Sequence, residues 1–289
     1  MAANEPDPGR SVGSANPGAI FAEVGMADVW RSGAAARART LGVATTLMLD
    51  LAGISEGNRV LDVAAGTGEQ TVEAARRAGP TGRVLATDIA PGMLEVAAEE
   101  ARKAGLANVE SRVMDAQHLD FEPKSFDAVI SRMGLMLIPD HRQALAEIRR
   151  VLKPGRRLAV VVWSTPERNL SVLLPASIAR RHAGMPPLTT DPPGMFSLGS
   201  PGLLERVLAE ADFKEVEVRA VPAPREFPSI REMIAYLTES TPALREPLVK
   251  LDLAGRATML AEIEHTMRQF EGADGVAIPG EVLVGTGTK

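Results

Sequence analysis

The chain has 289 residues, a formal charge of −5 and no cysteine. That excludes a disulfide framework, a zinc ribbon, an iron–sulfur cluster and any thiolate nucleophile, and the acidic balance argues against a general nucleic-acid binder. Apolar residues make up 45% and aromatics only 3%, so a large core is expected, built from aliphatic side chains and methionine.

Residues 1–18 are rich in Gly, Pro, Ser and Asn and have no apolar period, so a mobile tail is expected there. They lack the basic and apolar regions of a signal peptide, and the longest clean apolar run, Leu158 to Trp163, is far short of a membrane span. The expectation is a cytoplasmic α/β protein. From about Asp28 to Ile54 a helical pattern puts Leu41, Ala44, Met48 and Leu51 on one stripe.

Strands and helices then alternate. Arg59–Ala64 reads as a buried strand, Glu69–Ala78 as a helix and Arg83–Asp88 as the next strand, with Pro91 opening the next helix. Val109–Met114 and Phe126–Ser131 read as strands, a helix begins near Asp140, Pro154-Gly155 is a turn, and Arg157–Trp163 is the most apolar strand. This rhythm implies parallel βαβ units covered on both faces. Residues 166–200 are Pro-rich, with a short helix expected around Leu170–His182. A helix over Pro201–Ala211, an outer strand over Lys214–Val221, mostly helical structure over 229–270 and a last strand at Glu281–Lys289 complete the pattern. The expectation is a single domain over 19–289. Its core would take about 55–165, 213–221 and 280–289, and its cap about 20–52, 166–212 and 222–278.

The informative segment is Val60-Leu-Asp62-Val-Ala64-Ala-Gly66-Thr-Gly68. A buried strand runs into Gly66-Thr67-Gly68, where the backbone can turn sharply and approach a ligand at a helix N-terminus. Asp88, twenty residues past Gly68, ends the second strand, where a carboxylate suits a ribose diol. A nicotinamide site uses G-x-G-x-x-G to hold a pyrophosphate, which Asp62 would repel. Asp62 suits instead a ligand with an ammonium group, and the two acids together fit S-adenosylmethionine.

The segment resembles motif I of class I S-adenosylmethionine-dependent methyltransferases, in particular the ubiquinone/menaquinone-biosynthesis-like (methyltransferase 11-type) group. Ala86-Thr-Asp88-Ile89-Ala-Pro-Gly-Met93-Leu94 is similar to that group's ribose and adenine segment, and Asp115-Ala116-Gln117-His118-Leu119 to its adenine-amine clamp. Phe126–Ser131 and Arg149–Gly155 resemble its fourth strand and the turn before the fifth. The likeness covers roughly residues 40–165, with a weaker match at Phe196–Gly199 and the final strand. Its first glycine is here Ala64.

The resemblance implies a doubly wound, mostly parallel seven-stranded sheet of order 3-2-1-4-5-7-6, with the last strand antiparallel. It implies that Asp62, Ala64, Gly66 and Gly68 hold the methionine moiety, Asp88 the ribose hydroxyls, and Ile89 and Met93 the adenine face. Asp115 would accept from the adenine amine, with Ala116 and Gln117 beside it. Ser131 and Arg132 follow the fourth strand, where this fold places the acceptor beside the sulfonium; both are candidate catalytic residues, and Ser131 a cofactor contact as well. His182, in the variable insertion, is the histidine chosen as a candidate base over His118, His141 and His265. Packing is preferred over a pocket role for Tyr236 and for the Met133–Leu137 run. No metal is expected.

The expected activity is methyl transfer to O, N or C of a small, partly apolar metabolite such as a quinone or polyketide, in a chain that is a monomer or a homodimer. A non-catalytic S-adenosylmethionine-binding protein and, less favoured, a nicotinamide-dependent reductase are the alternatives.

Overall fold

The computed structural model describes residues 21, 23, 25–191 and 193–289, so the tail expected over 1–18 lies outside the described residues. The chain enters through α1 (Met26–Ser32) and α2 (Ala34–Leu51). One continuous helical pattern was expected here, but the helix breaks at Gly33. A Cβ at Gly33 would lie 2.7 Å from the Tyr236 ring and 2.9 Å from Arg37 Nη1. Close approach of the cap therefore requires glycine at that point. The predicted stripe of α2 (Leu41, Ala44, Met48, Leu51) is buried.

The alternating segment forms the predicted units. They are β1 (Arg59–Val63), α3 (Glu69–Ala78), β2 (Arg83–Asp88), α4 (Pro91–Lys103), β3 (Val109–Val113), β4 (Phe126–Arg132), α5 (His141–Val151) and β5 (Leu152–Trp163). Pro91 opens α4 as expected. Asp140 caps α5 by accepting from Gln143 N–H at 2.9 Å. The expected turn at Pro154-Gly155 is instead an excursion within β5. Phe126 pairs with Leu152 and Ala128 with Arg157, so the extra residues bulge out. Gly155 takes a left-handed φ of 71° and donates its N–H to Lys289 O.

After β5 come α6 (Leu170–His182), α7 (Leu203–Glu210) and β6 (Lys214–Pro222). The chain then forms β7 (Arg225–Phe227), α8 (Ile230–Ser240), α9 (Pro242–Lys250), α10 (Leu253–Met267), β8 (Glu271–Gly272), β9 (Gly275–Ile278) and β10 (Glu281–Thr288). The main sheet has the order β3-β2-β1-β4-β5-β10-β6. Strand β10 is antiparallel to both neighbours. Counted along its own sheet, β10 is the seventh strand, so this is the implied 3-2-1-4-5-7-6 order. A second sheet, β7-β9-β8, is antiparallel. It was not foreseen, because two to four residues are too few to show alternation.

Two apolar cores result. The main one joins the large sheet to α2, α3, α5 and α7. Helices α2 and α7, assigned to the cap from sequence, contribute Leu41, Met48, Leu204 and Leu208 to this core. The second core joins α6, α8, α9 and α10 to the small sheet, through Ile178, Met233, Leu237, Ile263 and Ile278 among others. Helix α1 packs on the start of α4 through Met26, Ala90 and Met93. No helix among the described residues is long and apolar enough to cross a membrane.

Candidate active site

A cavity of about 430 Å³ opens between the two cores, at the carboxyl ends of β1, β2, β4 and β5. This is the usual ligand position in an open parallel sheet. The turn after β1 forms one wall. Ala64 holds a left-handed φ of 55°, Gly66 one of 57° and Gly68 one of 83°. Gly68 also sits against α4, where a Cβ would lie 2.7 Å from that of Ala97. The glycines thus let α3 start beside α4 while Gly66 faces the cavity.

Asp88 ends β2 at the cavity wall. Its carboxylate accepts from Gly66 N–H (2.9 Å) and Ala90 N–H (2.9 Å), which fixes it and leaves acceptor capacity on both oxygens. Burial raises its pKa, opposed by these N–H donors. Beside it stand Ile89, an apolar side chain left 38% exposed, and Met93. Asp115, Ala116 and Gln117 also line the cavity. The Gln117 backbone N–H and side-chain amide both donate to the Asp115 carboxylate, at 2.9 to 3.1 Å.

Asp62 is placed differently from the expectation. It is fully buried beneath the turn and does not line the cavity. Thr71 Oγ1 donates to it at 2.6 Å and Gln70 Nε2 at 3.3 Å, while Gln70 also donates to Ala65 O at 2.9 Å. Burial pushes its pKa up to about 7 against those hydrogen bonds. Its position makes it the brace of the turn. Gly68 is likewise behind the wall, packed on α4.

Two candidate catalytic residues are not at the cavity. Ser131 is fully buried, its Oγ without a partner, behind Gly134. His182 ends α6 and does not line the cavity; its Nε2 lies 2.7 Å from Glu262 Oε2. Arg132 does line the cavity. It donates to Glu69 Oε2 at 2.7 Å and Thr45 Oγ1 at 3.2 Å.

Sequence reasoning missed the partner of that pair. Arg37 of α2 binds the other oxygen of Glu69 and reaches Thr67 Oγ1 at 3.2 Å, with its guanidinium 5.0 Å from the Trp30 ring centre. Burial would raise the Glu69 pKa, but Arg132 and Arg37 outweigh it and hold it low. A signal was present: Arg37 stands four residues before Leu41, in line with the buried stripe Leu41, Ala44, Met48 and Leu51, so a charge falls on the face that α2 buries. Tyr236, Met133, Met136 and Leu137 line the cavity, whereas Leu135 is core. Arg225, Trp163, Pro186–Thr189, Asp191 and Pro193–Phe196 complete the acceptor side. Among the described residues no three His, Asp or Glu side chains are grouped to hold a metal ion.

Sheet order, glycine turn and the carboxylate ending β2 agree with the class I S-adenosylmethionine-dependent methyltransferase fold that the sequence resembles. Residues 60–155 match the family model described as "Methyltransferase domain". Over 123 residues the chain is 42% identical to the ubiquinone/menaquinone biosynthesis C-methyltransferase UbiE of Teredinibacter turnerae, covering 42% of this chain and 49% of that one. For the Pseudomonas aeruginosa UbiE the identity is 41%, with 42% and 48% covered. The similarity thus spans about half the length of these curated relatives.

Solved structures show the same fold. The YcgJ protein of Bacillus subtilis superposes with a TM-score of 0.57 at 20% identity, over 86% of this chain and 98% of that one. A Haemonchus contortus phosphoethanolamine N-methyltransferase, in complex with S-adenosyl-L-methionine, gives 0.56 at 20%, over 94% and 59%. The [4+2]-cyclase SpnF gives 0.51 at 21%, over 85% and 80%. Because a cyclase is among the proteins with this fold, the reaction must be argued from the site and not from the fold.

Proposed function

We propose that the chain is an S-adenosylmethionine-dependent methyltransferase that acts on a small, partly apolar metabolite of the quinone or polyketide kind. The observation that carries this reading is Asp88, held by two backbone N–H groups with open lone pairs toward a cavity that Gly66 lines. Ile89 and Met93 supply an apolar face beside it, and the Asp115–Gln117 pair closes the end. These residues fit an adenosyl group. When bound, S-adenosylmethionine supplies an electrophilic methyl on a sulfonium, so the protein's contribution is chiefly position and charge.

Each group then has a task. Asp88 fixes the ribose diol. Arg37 and Arg132, tied through Glu69, anchor α2 and the end of β4 around the reacting centre. The wall formed by Met133 and Met136 after β4 with Phe196 and Phe227 of the cap excludes water from an apolar acceptor. With Ser131 and His182 away from the cavity, no positioned base is needed in this reading beyond the acceptor's own nucleophilicity.

Calorimetric titration with S-adenosylmethionine, S-adenosylhomocysteine and NADH tests it. The expected result is micromolar binding of both adenosyl ligands, lost in Asp88→Ala, and none of NADH. A folded protein that binds neither adenosyl ligand would overturn the reading.

A further inference from the structure

Four arginines line the cavity, and three have partners. Arg37 and Arg132 share Glu69, and Arg180 donates to Pro186 O at 2.6 Å and to Glu246 Oε2 at 3.2 Å. The fourth, Arg225, begins β7 on the cap side. Its guanidinium lies 5.0 Å from the centre of the Trp163 ring, at the end of β5. Its Nη1 is sealed from solvent and has no hydrogen-bond partner among the described residues. Burial lowers its pKa, a nearby Tyr236 raises it, and Arg37 lowers it further.

The acids of the cavity do not neutralise it. Glu69 is taken by Arg37 and Arg132. Asp88 and Asp115 are held at the opposite end, by Gly66 and Ala90 and by Gln117. Asp191 and Glu226 are exposed, and no ion pair joins either to Arg225 among the described residues. Desolvating one edge of a guanidinium without a partner or counter-charge is costly. Its planar fork suits an oxyanion, and the aromatic face beneath it leaves the edge free to donate. Phe227, Leu188 and Phe196 give the same cavity apolar wall.

We propose that Arg225 is the recognition point for an oxyanion, a carboxylate or a phosphate, on the acceptor, which is therefore an apolar organic acid. This rests on the methyltransferase reading for the word acceptor, since Arg37, bonded to Thr67 of the glycine turn, is the cation nearer the expected methionine end of the cofactor. Tyr236 stands at the same wall and offers a hydroxyl to the same group.

The test uses three probes of one shape on the full chain saturated with S-adenosylhomocysteine: 2-naphthoate, 2-naphthyl phosphate and neutral 2-naphthamide. In calorimetry the wild type is expected to hold at least one of the anions roughly tenfold or more tighter than the amide. The anion held tighter identifies the oxyanion. In Arg225→Met the preference should fall to within about twofold, and Arg225→Lys should keep part of it. S-adenosylhomocysteine affinity should stay within about twofold throughout.

Absence of any anion preference in the wild type, or its survival in Arg225→Met, would overturn the proposal. So would a tenfold loss of S-adenosylhomocysteine affinity in that variant, which would assign Arg225 to the cofactor. If the wild type does not bind S-adenosylhomocysteine, the methyltransferase reading fails by itself, and the same anion-to-amide ratio is read on the ligand-free protein. Thermal melting separates a structural role: ligand-free Arg225→Met should melt at or above the wild-type temperature. A fall of more than about 5 °C, or failure to fold, marks Arg225 as a structural cation and overturns the proposal.

Discussion

The Cβ of Ala64 occupies the space in front of Gly134, so that a methyl group on Gly134 would collide with it. The first turn residue after β1 and the third residue after Ser131 are therefore a matched pair across two strands. Gly134→Ala alone should destabilise by about 1–3 kcal/mol through overpacking, even though its φ of −97° accepts alanine. Ala64→Gly removes the obstructing methyl and relieves a left-handed φ that costs alanine about 1 kcal/mol. The double variant should recover most of the loss. Urea denaturation of the four proteins of the cycle checks this; additive losses would contradict it.

Glu69 holds two buried cations at once. Glu69→Gln leaves Arg37 and Arg132 without their shared charge, and should cost about 3 kcal/mol of stability. Because the pair brackets the cavity, adenosyl-ligand affinity should fall as well. Removal of Arg37 with Glu69 (Arg37→Met, Glu69→Gln) should cost less than the sum of the single changes, which denaturant titration would show.

Asp62 makes stability depend on pH. Its folded pKa, about 7, lies above its unfolded value near 4. The folded chain thus binds the extra proton through this window, and stability falls as pH rises from about 4 to 7. Asp62→Asn should flatten that slope in the ligand-free protein, by at most roughly 4 kcal/mol between the two ends. Asp88 is shifted the same way and keeps part of the slope in the variant. Denaturation at pH 5 and pH 8 measures it, and identical slopes in the two proteins would contradict the assignment.

Ser131→Ala deletes a buried hydroxyl that has no partner, so stability should change by less than about 1 kcal/mol or rise. His182→Ala removes a contact to Glu262 outside the cavity lining. Both variants should bind S-adenosylhomocysteine as the wild type does. A tenfold loss in either would restore that residue to the site.

What was legible in the sequence follows from local chemistry. The strands β1, β2 and β4 each hold a short apolar run (Val60-Leu61, Val84–Ala86 and Ala128–Ile130), and a glycine turn follows β1 while an acid ends β2. Asp88, Gly66, Ile89 and the Asp115–Gln117 segment were readable because they stand at fixed places after those runs. Asp62 was located correctly but given the wrong neighbour, since a strand's last carboxylate can point into the turn as easily as into the cavity. Ser131 was misjudged for the same reason: alternation on a doubly covered strand says nothing about which face meets ligand. Arg37 on α2 is far in sequence from Arg225 and Tyr236, which lie on the successive elements β7 and α8, and the three come to one cavity only through tertiary packing. No spacing in the chain joins them.

Strand β6 has a single neighbour in the large sheet, and that neighbour is β10. On the ribosome β6 emerges well before the residues that will pair with it, with the whole of α8, α9 and α10 made in between. The β1–β5 half can pair as it appears, but β6 and its row of free backbone groups must wait. The small sheet and its helices form an island of their own meanwhile, bracketed by two strands that cannot yet meet. Growth from one side and closure by a late insertion make the final pairing a long-range, slow event. A nascent chain halted before residue 281 would present β6 as an open edge, the form in which this protein is most exposed to aggregation and to chaperones.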